Sequence, residues 1–380
     1  MYVVLAWFAY LQAAPGLVIV HLRDELNLSY SAGGLHVAAF AAGSTVAGVI
    51  SAPFERALGR RTLFWSAAVV LATGAIGLTA GRIAEVTVGS VLIMGVGGGL
   101  LLATGQAALA DQHGELRTVA LAEENVAASI AYVVLIGVLS LTTALHAGWR
   151  VALLAALVVP ALAWCSNRHL AIDAPPPLTA AHRRLPGLFW IAAAMLFCTT
   201  AAEWCITAWG ATFAEDVAGA STDTAVALMA GYFGGVLAGR TLGSRLARRY
   251  DPARLLAFAL AVAAAGFTVL WLSTALALIG LSLLGIGLGN LFPMGVSVAV
   301  ALAPDRAVLA SGRAVMMSSF AVVLAPLTVG MLADATSLKA ALGVVPVVLA
   351  LAAVGLTLVR RARTPLSCAV RAGVEPSRSQ

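Results

Sequence analysis

The chain is divided into twelve apolar stretches, each near the roughly 20 residues that a helix needs to cross the hydrocarbon of a bilayer. They lie near 2–20, 31–53, 62–81, 84–109, 117–144, 149–165, 187–213, 221–243, 253–273, 275–302, 307–332 and 338–359. The runs are too long for membrane strands and lack the strict alternation of a β-barrel. Composition agrees: 61% of residues are hydrophobic and 11% are charged, against about 45–50% and about 25% in soluble domains. Met1 leads straight into YVVLAWFAYLQAAPGLVIV with no basic segment before it. The first stretch is therefore read as a retained span and not as a cleaved leader.

An even number of spans places both termini on one side. With that side taken as cytoplasmic, nineteen of the 23 Lys and Arg fall at cytoplasmic segments, Arg240 and Arg254 among them. Only Arg23, Arg82, Arg150 and Lys339 fall outside. Such a bias is the positive-inside pattern. The net charge of +6 thus reads as an orientation signal and not as a nucleic-acid patch. The expected location is the plasma (inner) membrane, multi-pass, with both termini cytoplasmic.

The chain also resembles itself at an offset of about 190 residues. LIMGVGGGLLLATG (92–105) matches LLGIGLGNLFPMG (283–295), GSTVAG (43–48) matches GGVLAG (234–239), and ASIAYVV (128–134) matches SSFAVVL (318–324). Duplicated six-helix halves are a transporter architecture with the binding site at the interface between halves. The expected fold is an all-α membrane protein of twelve transmembrane helices in two pseudo-symmetric halves. Residues 1–165 form the first bundle, 166–186 a linker, 187–359 the second bundle, and 360–380 a polar tail expected to be disordered. Gly95, Gly97 and Gly99 allow close backbone approach between helices.

SAPFERALGRR (51–61) resembles the loop motif of the major facilitator superfamily, Gly-x-x-x-Asp-Arg-x-Gly-Arg-Arg. Ser51 stands for the first Gly, Glu55 for the Asp and Arg56 for the Arg; Gly59, Arg60 and Arg61 close it, with Leu58 as an extra residue. GRTLGSRLARRY (239–250) is a degenerate copy, and GWR (148–150) is similar to the family's end of span 5. The resemblance implies a cytoplasmic latch of Glu55, Arg56, Gly59, Arg60 and Arg61 pairing across the halves. The repeat offset sets Arg313 opposite Glu123, read as a second cytoplasmic gate pair, with a proton site at Glu123 as the alternative. The span 4 arginine of many proton-coupled exporters and the span 5 Gly-Pro pattern of drug/proton antiporters are absent from the sequence.

TTAAEWCITAWGATF (199–213) carries one carboxylate, Glu203, in an apolar run. It lies about 22 Å along its helix from Leu188, at 1.5 Å per residue, where a charge costs about 2.5–3.5 kcal/mol. A carboxyl that is neutral when dry and ionised when wet can carry a proton between two faces. The stretch also resembles span 7 of the fucose-permease-like branch, which implies that Trp209 works beside Glu203, with Trp204 packing between helices. Asn290, Trp7, Tyr10, Tyr132 and Gln106 are candidate cavity residues, with helix packing as the alternative for each.

GVGGGLLLATG lacks the strand and the Lys-Ser/Thr of a phosphate-binding loop, and the four cysteines suggest neither a disulfide framework nor a metal cage. The reading is a secondary transporter that needs no cofactor and is no enzyme. Its partners are a small organic solute, protons and membrane lipid, with no nucleic acid. A neutral, hydroxylated solute is expected because no basic cluster is read at mid-depth. The alternatives are a drug or metabolite exporter, or a sensor or scaffold on a transporter fold.

Overall fold

The computed structural model describes residues 1–167, 185–247, 249–303 and 306–372. The linker, including Arg168, Arg183 and Arg184, lies almost wholly outside them, as do Arg248 and the last residues of the tail with Arg378.

Twelve helices are long and apolar enough to span a membrane. They are Tyr2–Leu26, Tyr30–Leu58, Arg60–Ala80, Ala84–His113, Val119–Ala144 and Trp149–Asn167 in the first half. The second half holds Gly187–Asp216, Thr222–Leu246, Pro252–Leu272, Thr274–Val300, Leu309–Ala335 and Leu338–Ala362. They are called spans 1 to 12 below. No strand occurs among the described residues. The chain is a multi-pass membrane protein. The face holding Met1 and the span 2–3 turn is called the Met1 face; the face holding the span 1–2 turn is the Asn27 face.

Local chemistry sets the ends. Ser29 and Ser221, at equivalent places in the two halves, cap spans 2 and 8 by accepting from the N–H groups of Ala32 and Thr224. Spans 2 and 3 are joined by Gly59 alone, at φ 76° and ψ 150°, a backbone conformation that a side chain would strain. Spans 6, 10 and 12 are each interrupted, at 156–157, 289–290 and 342–343. Each break starts four residues before a proline (Pro160, Pro293, Pro346), whose missing N–H leaves that residue's carbonyl without its helical donor. The last helix continues beyond Val359 to Ala372, into the stretch read from sequence as tail.

The duplication is visible in the packing. A Cβ on Gly95 would strike the Phe40 carbonyl, and one on Gly285 would strike the Tyr232 carbonyl, which joins spans 2 and 4 as it joins spans 8 and 10. Gly97 meets the backbone of Leu71 and Ala67, and Gly287 meets that of Ala263 and Ala259, joining spans 3–4 and 9–10. Helices this close gain dispersion contacts that lipid tails do not supply. Between the halves, span 1 packs on span 7, span 2 on span 11 and span 5 on span 8.

Candidate functional site

Glu203 lines a small cavity between the halves, with Gln12, Tyr132, Trp204, Thr207 and Tyr232 among its neighbours. The cavity is about 20 Å³, room for one water molecule. Gln12 and Tyr132 belong to the first half and bond to each other, Tyr132 Oη donating to Gln12 Oε1 at 3.1 Å. Tyr232 Oη donates to the Glu203 backbone carbonyl at 3.1 Å, and Thr207 Oγ1 donates to the same carbonyl at 2.9 Å.

The Glu203 carboxylate faces Arg240 of span 8, with Oε1 3.7 Å from a guanidinium nitrogen. That is an ion pair longer than a hydrogen bond. Helical direction brings them together. Side chains tilt toward a helix N-terminus, so Glu203, on a span rising from the Met1 face, leans toward that face. Arg240, on a span descending from the Asn27 face, leans the other way. The Glu203 side chain keeps 17% exposure and lines the small cavity. Arg240 also donates to Ser129 Oγ of span 5, in the opposite half, at 2.9 Å. Glu124, buried one helical turn and one residue before Ser129, accepts from Gln106 at 3.0 Å and lies within electrostatic reach of Arg240.

Arg240 therefore sits within span 8 and not in a cytoplasmic loop. The sequence range 221–243 contains it, but it abuts the basic stretch that follows, and a count of charges alone does not separate the two. Ser129 and Thr207 lie inside the stretches 128–134 and 199–213 without being marked in them, and Glu124, Gln12 and Tyr232 carry no motif of their own. Neighbours on a helix point about 100° apart, which separates buried Glu124 from exposed Glu123.

The other candidates divide. Tyr132 lines the cavity beside Glu203, and Gln106 holds Glu124. Trp209 is buried, and its Nε1 donates to the Pro326 carbonyl of span 11 at 2.9 Å. Trp204, expected to pack between helices, lines the cavity in its place. Six residues advance a helix by about 600°, so Trp209 is turned about 120° from Glu203, whereas Thr207 shares its face. Asn290 is buried at the span 10 break, and its Nδ2 donates to the Gly239 carbonyl at 2.5 Å. Tyr10 donates to the Ala152 carbonyl at 2.9 Å, inside the first half. Trp7 is buried, and its Nε1 finds no hydrogen-bond partner among the described residues.

Of the loop motif, buried Arg60 binds Glu55 and also donates to Asp111 of span 4 at 2.7 Å. Arg56 donates to the Ala52 carbonyl of its own helix, and Arg61 turns to a groove on the membrane side. All these contacts stay within the first half. Glu123 accepts from Tyr2 Oη at 3.1 Å, and Arg313 donates to Met316 Sδ at 3.6 Å. The two are not paired.

The halves are tied instead at the Asn27 face, by residues that the motifs do not mark. Arg23 pairs with Asp216 at 3.0 Å, and Tyr30 Oη donates to Asp216 at 2.7 Å. Asp334, at the end of span 11, accepts from the N–H groups of Tyr30 and Ser31, both at 2.8 Å. A carboxylate of one half thus caps a helix N-terminus of the other.

The family model of the Major Facilitator Superfamily matches residues 1–276 and 192–375. The chain belongs to the major facilitator superfamily. Solved structures share this fold at low identity. A D-xylose-proton symporter aligns with TM-score 0.78 and 17% identity over 94% of each chain. A bacterial homolog of the human lysosomal transporter Spinster, in an inward-facing and occupied conformation, aligns at 0.77 and 13% over 95% of each. A nucleoside transporter aligns at 0.74 and 12% over 95% of this chain and 98% of that one. Comparison with curated proteins by sequence finds no match.

Proposed function

We propose that the protein is a secondary transporter of a small organic solute, working by alternating access and driven by protons through Glu203. The observation that carries this reading is the sharing of Arg240 between Glu203 of its own half and Ser129 of the other. While Glu203 is ionised, its attraction opposes the pull of the first half on the guanidinium. Protonation removes that attraction and leaves Arg240 to its bond with Ser129 and to Glu124. A proton taken up at one carboxyl thereby changes how strongly the halves hold each other.

The charge bias of the loops supports a cytoplasmic Met1 face. On that reading the ties at Asp216 and Asp334 close the outer side, and this is the inward-facing member of the cycle. Glu55, Arg60 and Asp111 then brace the inner ends of spans 2 to 4. Arg240 at mid-depth removes the reason for preferring a neutral solute, so the solute class stays at a small organic molecule.

A thermal-shift screen of sugars, polyols, nucleosides and antibiotics identifies the solute. In proteoliposomes the hit accumulates with a pH gradient. Glu203→Gln loses that accumulation by at least tenfold and keeps solute exchange. Accumulation that survives the substitution contradicts the proton role.

A further inference from the structure

The membrane-facing surface of the first half carries a groove of about 580 Å³ between spans 3 and 6. Its origin is local. Span 6 is interrupted at 156–157, ahead of Pro160, while span 3 presents small residues, Ala68 and Ala72, along the opposing wall. The groove lies at hydrocarbon depth, where water has no polar partners to hold it, so its natural content is an acyl chain.

Its mouth is polar. Arg61 is the second residue of span 3, at the Met1 face, and lines the groove with the hydroxyl residues Thr62 and Ser66. Arg60 beside it turns inward to Glu55 and Asp111. Among the described residues, no carboxylate lies within ion-pairing distance of Arg61. Just above the mouth, Trp65 of span 3 and Trp164 of span 6 meet edge to face, ring centroids 5.1 Å apart. Tryptophan at this depth is the side chain that settles at the headgroup boundary. Arg61 with the Thr62 hydroxyl, an aromatic collar with Ser66 at its level, and an apolar trough thus follow one another along the membrane normal, in the order of the parts of a phospholipid. The fold repeats the trough between spans 9 and 12, about 380 Å³ with Arg360 in its lining, but no tryptophan lines that one.

We propose that the groove between spans 3 and 6 is a binding site for an anionic glycerophospholipid of the leaflet at the Met1 face. The phosphate sits on Arg61, and one acyl chain runs past Trp65 and Trp164 toward Leu157. A zwitterionic lipid fills the same trough but gains less from an unpaired guanidinium, which is worth about 1 kcal/mol near a charged surface. That corresponds to about a fivefold preference.

The test uses the full chain in detergent with phosphatidylglycerol, phosphatidylcholine and soluble glycerol 3-phosphate, read by native mass spectrometry and thermal shift. Phosphatidylglycerol is expected to be retained about fivefold more than phosphatidylcholine and to raise the melting temperature, with no shift from glycerol 3-phosphate. Arg61→Gln abolishes the preference and Arg61→Lys restores it. Trp164→Ala weakens both lipids alike. Equal retention of the two lipids by the wild type, or a preference that survives Arg61→Gln, overturns the proposal. So does an equal shift from glycerol 3-phosphate, which would mark a free-phosphate site. No transport is measured, so the outcome is independent of the role given to Glu203.

Discussion

Spans 2 and 11 face each other across the two halves, and they behave differently at their two ends. Near the Asn27 face a Cβ on Gly34 would lie 2.7 Å from the Pro326 carbonyl, and one on Gly330 would lie 2.5 Å from that of Tyr30. Nearer the Met1 face the same helices carry Gly48 and Gly312, and nothing lies within 4 Å of a Cβ on either. The charges follow the same division. Asp216 and Asp334 satisfy donors of the opposite half, whereas Glu55, Arg60, Asp111 and Glu123 are satisfied within their own half. One helix pair thus shows both a closed and a parted arrangement. Glycines at both ends leave backbone approach possible at either, and polar ties select the end.

Substitutions at the two ends separate these roles, and the largest effect is expected where charge is buried within one half. Arg60→Ala leaves Glu55 without its cation and is expected to destabilise the fold by about 3 kcal/mol. It should lower the unfolding temperature without changing the distance between spans 2 and 11. Gly34→Val wedges a side chain against backbone that has no room to give. An overpacking cost of about 1–3 kcal/mol predicts roughly a tenfold shift toward separation at the Asn27 face, read by spin labels on the two spans, with the fold retained.

Asp334→Ala removes the carboxylate cap from span 2. Caps contribute about 0.5–2 kcal/mol, so a shift of about fivefold in the same direction is expected, and Asp334→Asn should recover part of it. The smallest effect belongs to Gly48→Ala, which meets open space and should alter stability by less than about 0.5 kcal/mol. A large loss there would show the Met1 ends of these spans to be packed together.

The spans, their duplication and the intramembrane carboxylate were legible in the sequence because each is written in one stretch of chain. Hydropathy marks a helix, a shared offset marks the repeat, and Glu203 stands alone among apolar neighbours. What completes the site is not written locally. Arg240 is one of several arginines near the end of span 8, and only its lean toward Glu203 distinguishes it from them. Glu123 and Glu124 are adjacent in sequence, and the turn of the helix alone decides which is buried. The Asn27-face ties join residues about 190 to 300 positions apart (Arg23 to Asp216, Tyr30 to Asp334), and no periodicity announces such pairs. Resemblance to a related pattern points Trp209 at the cavity, whereas its position on the helix turns it to span 11.

The most direct test of the account measures two distances at once by double electron–electron resonance. One label pair sits at the Met1 ends of spans 5 and 11, at positions 123 and 313, and the other at the Asn27 ends of spans 2 and 11. Lowering the pH should protonate Glu203, free Arg240 for the first half, shorten the Met1-face distance and lengthen the Asn27-face distance together. Glu203→Gln should hold the low-pH distances at every pH. Distances that ignore pH in the wild type, or that respond equally in the Glu203→Gln protein, would contradict it.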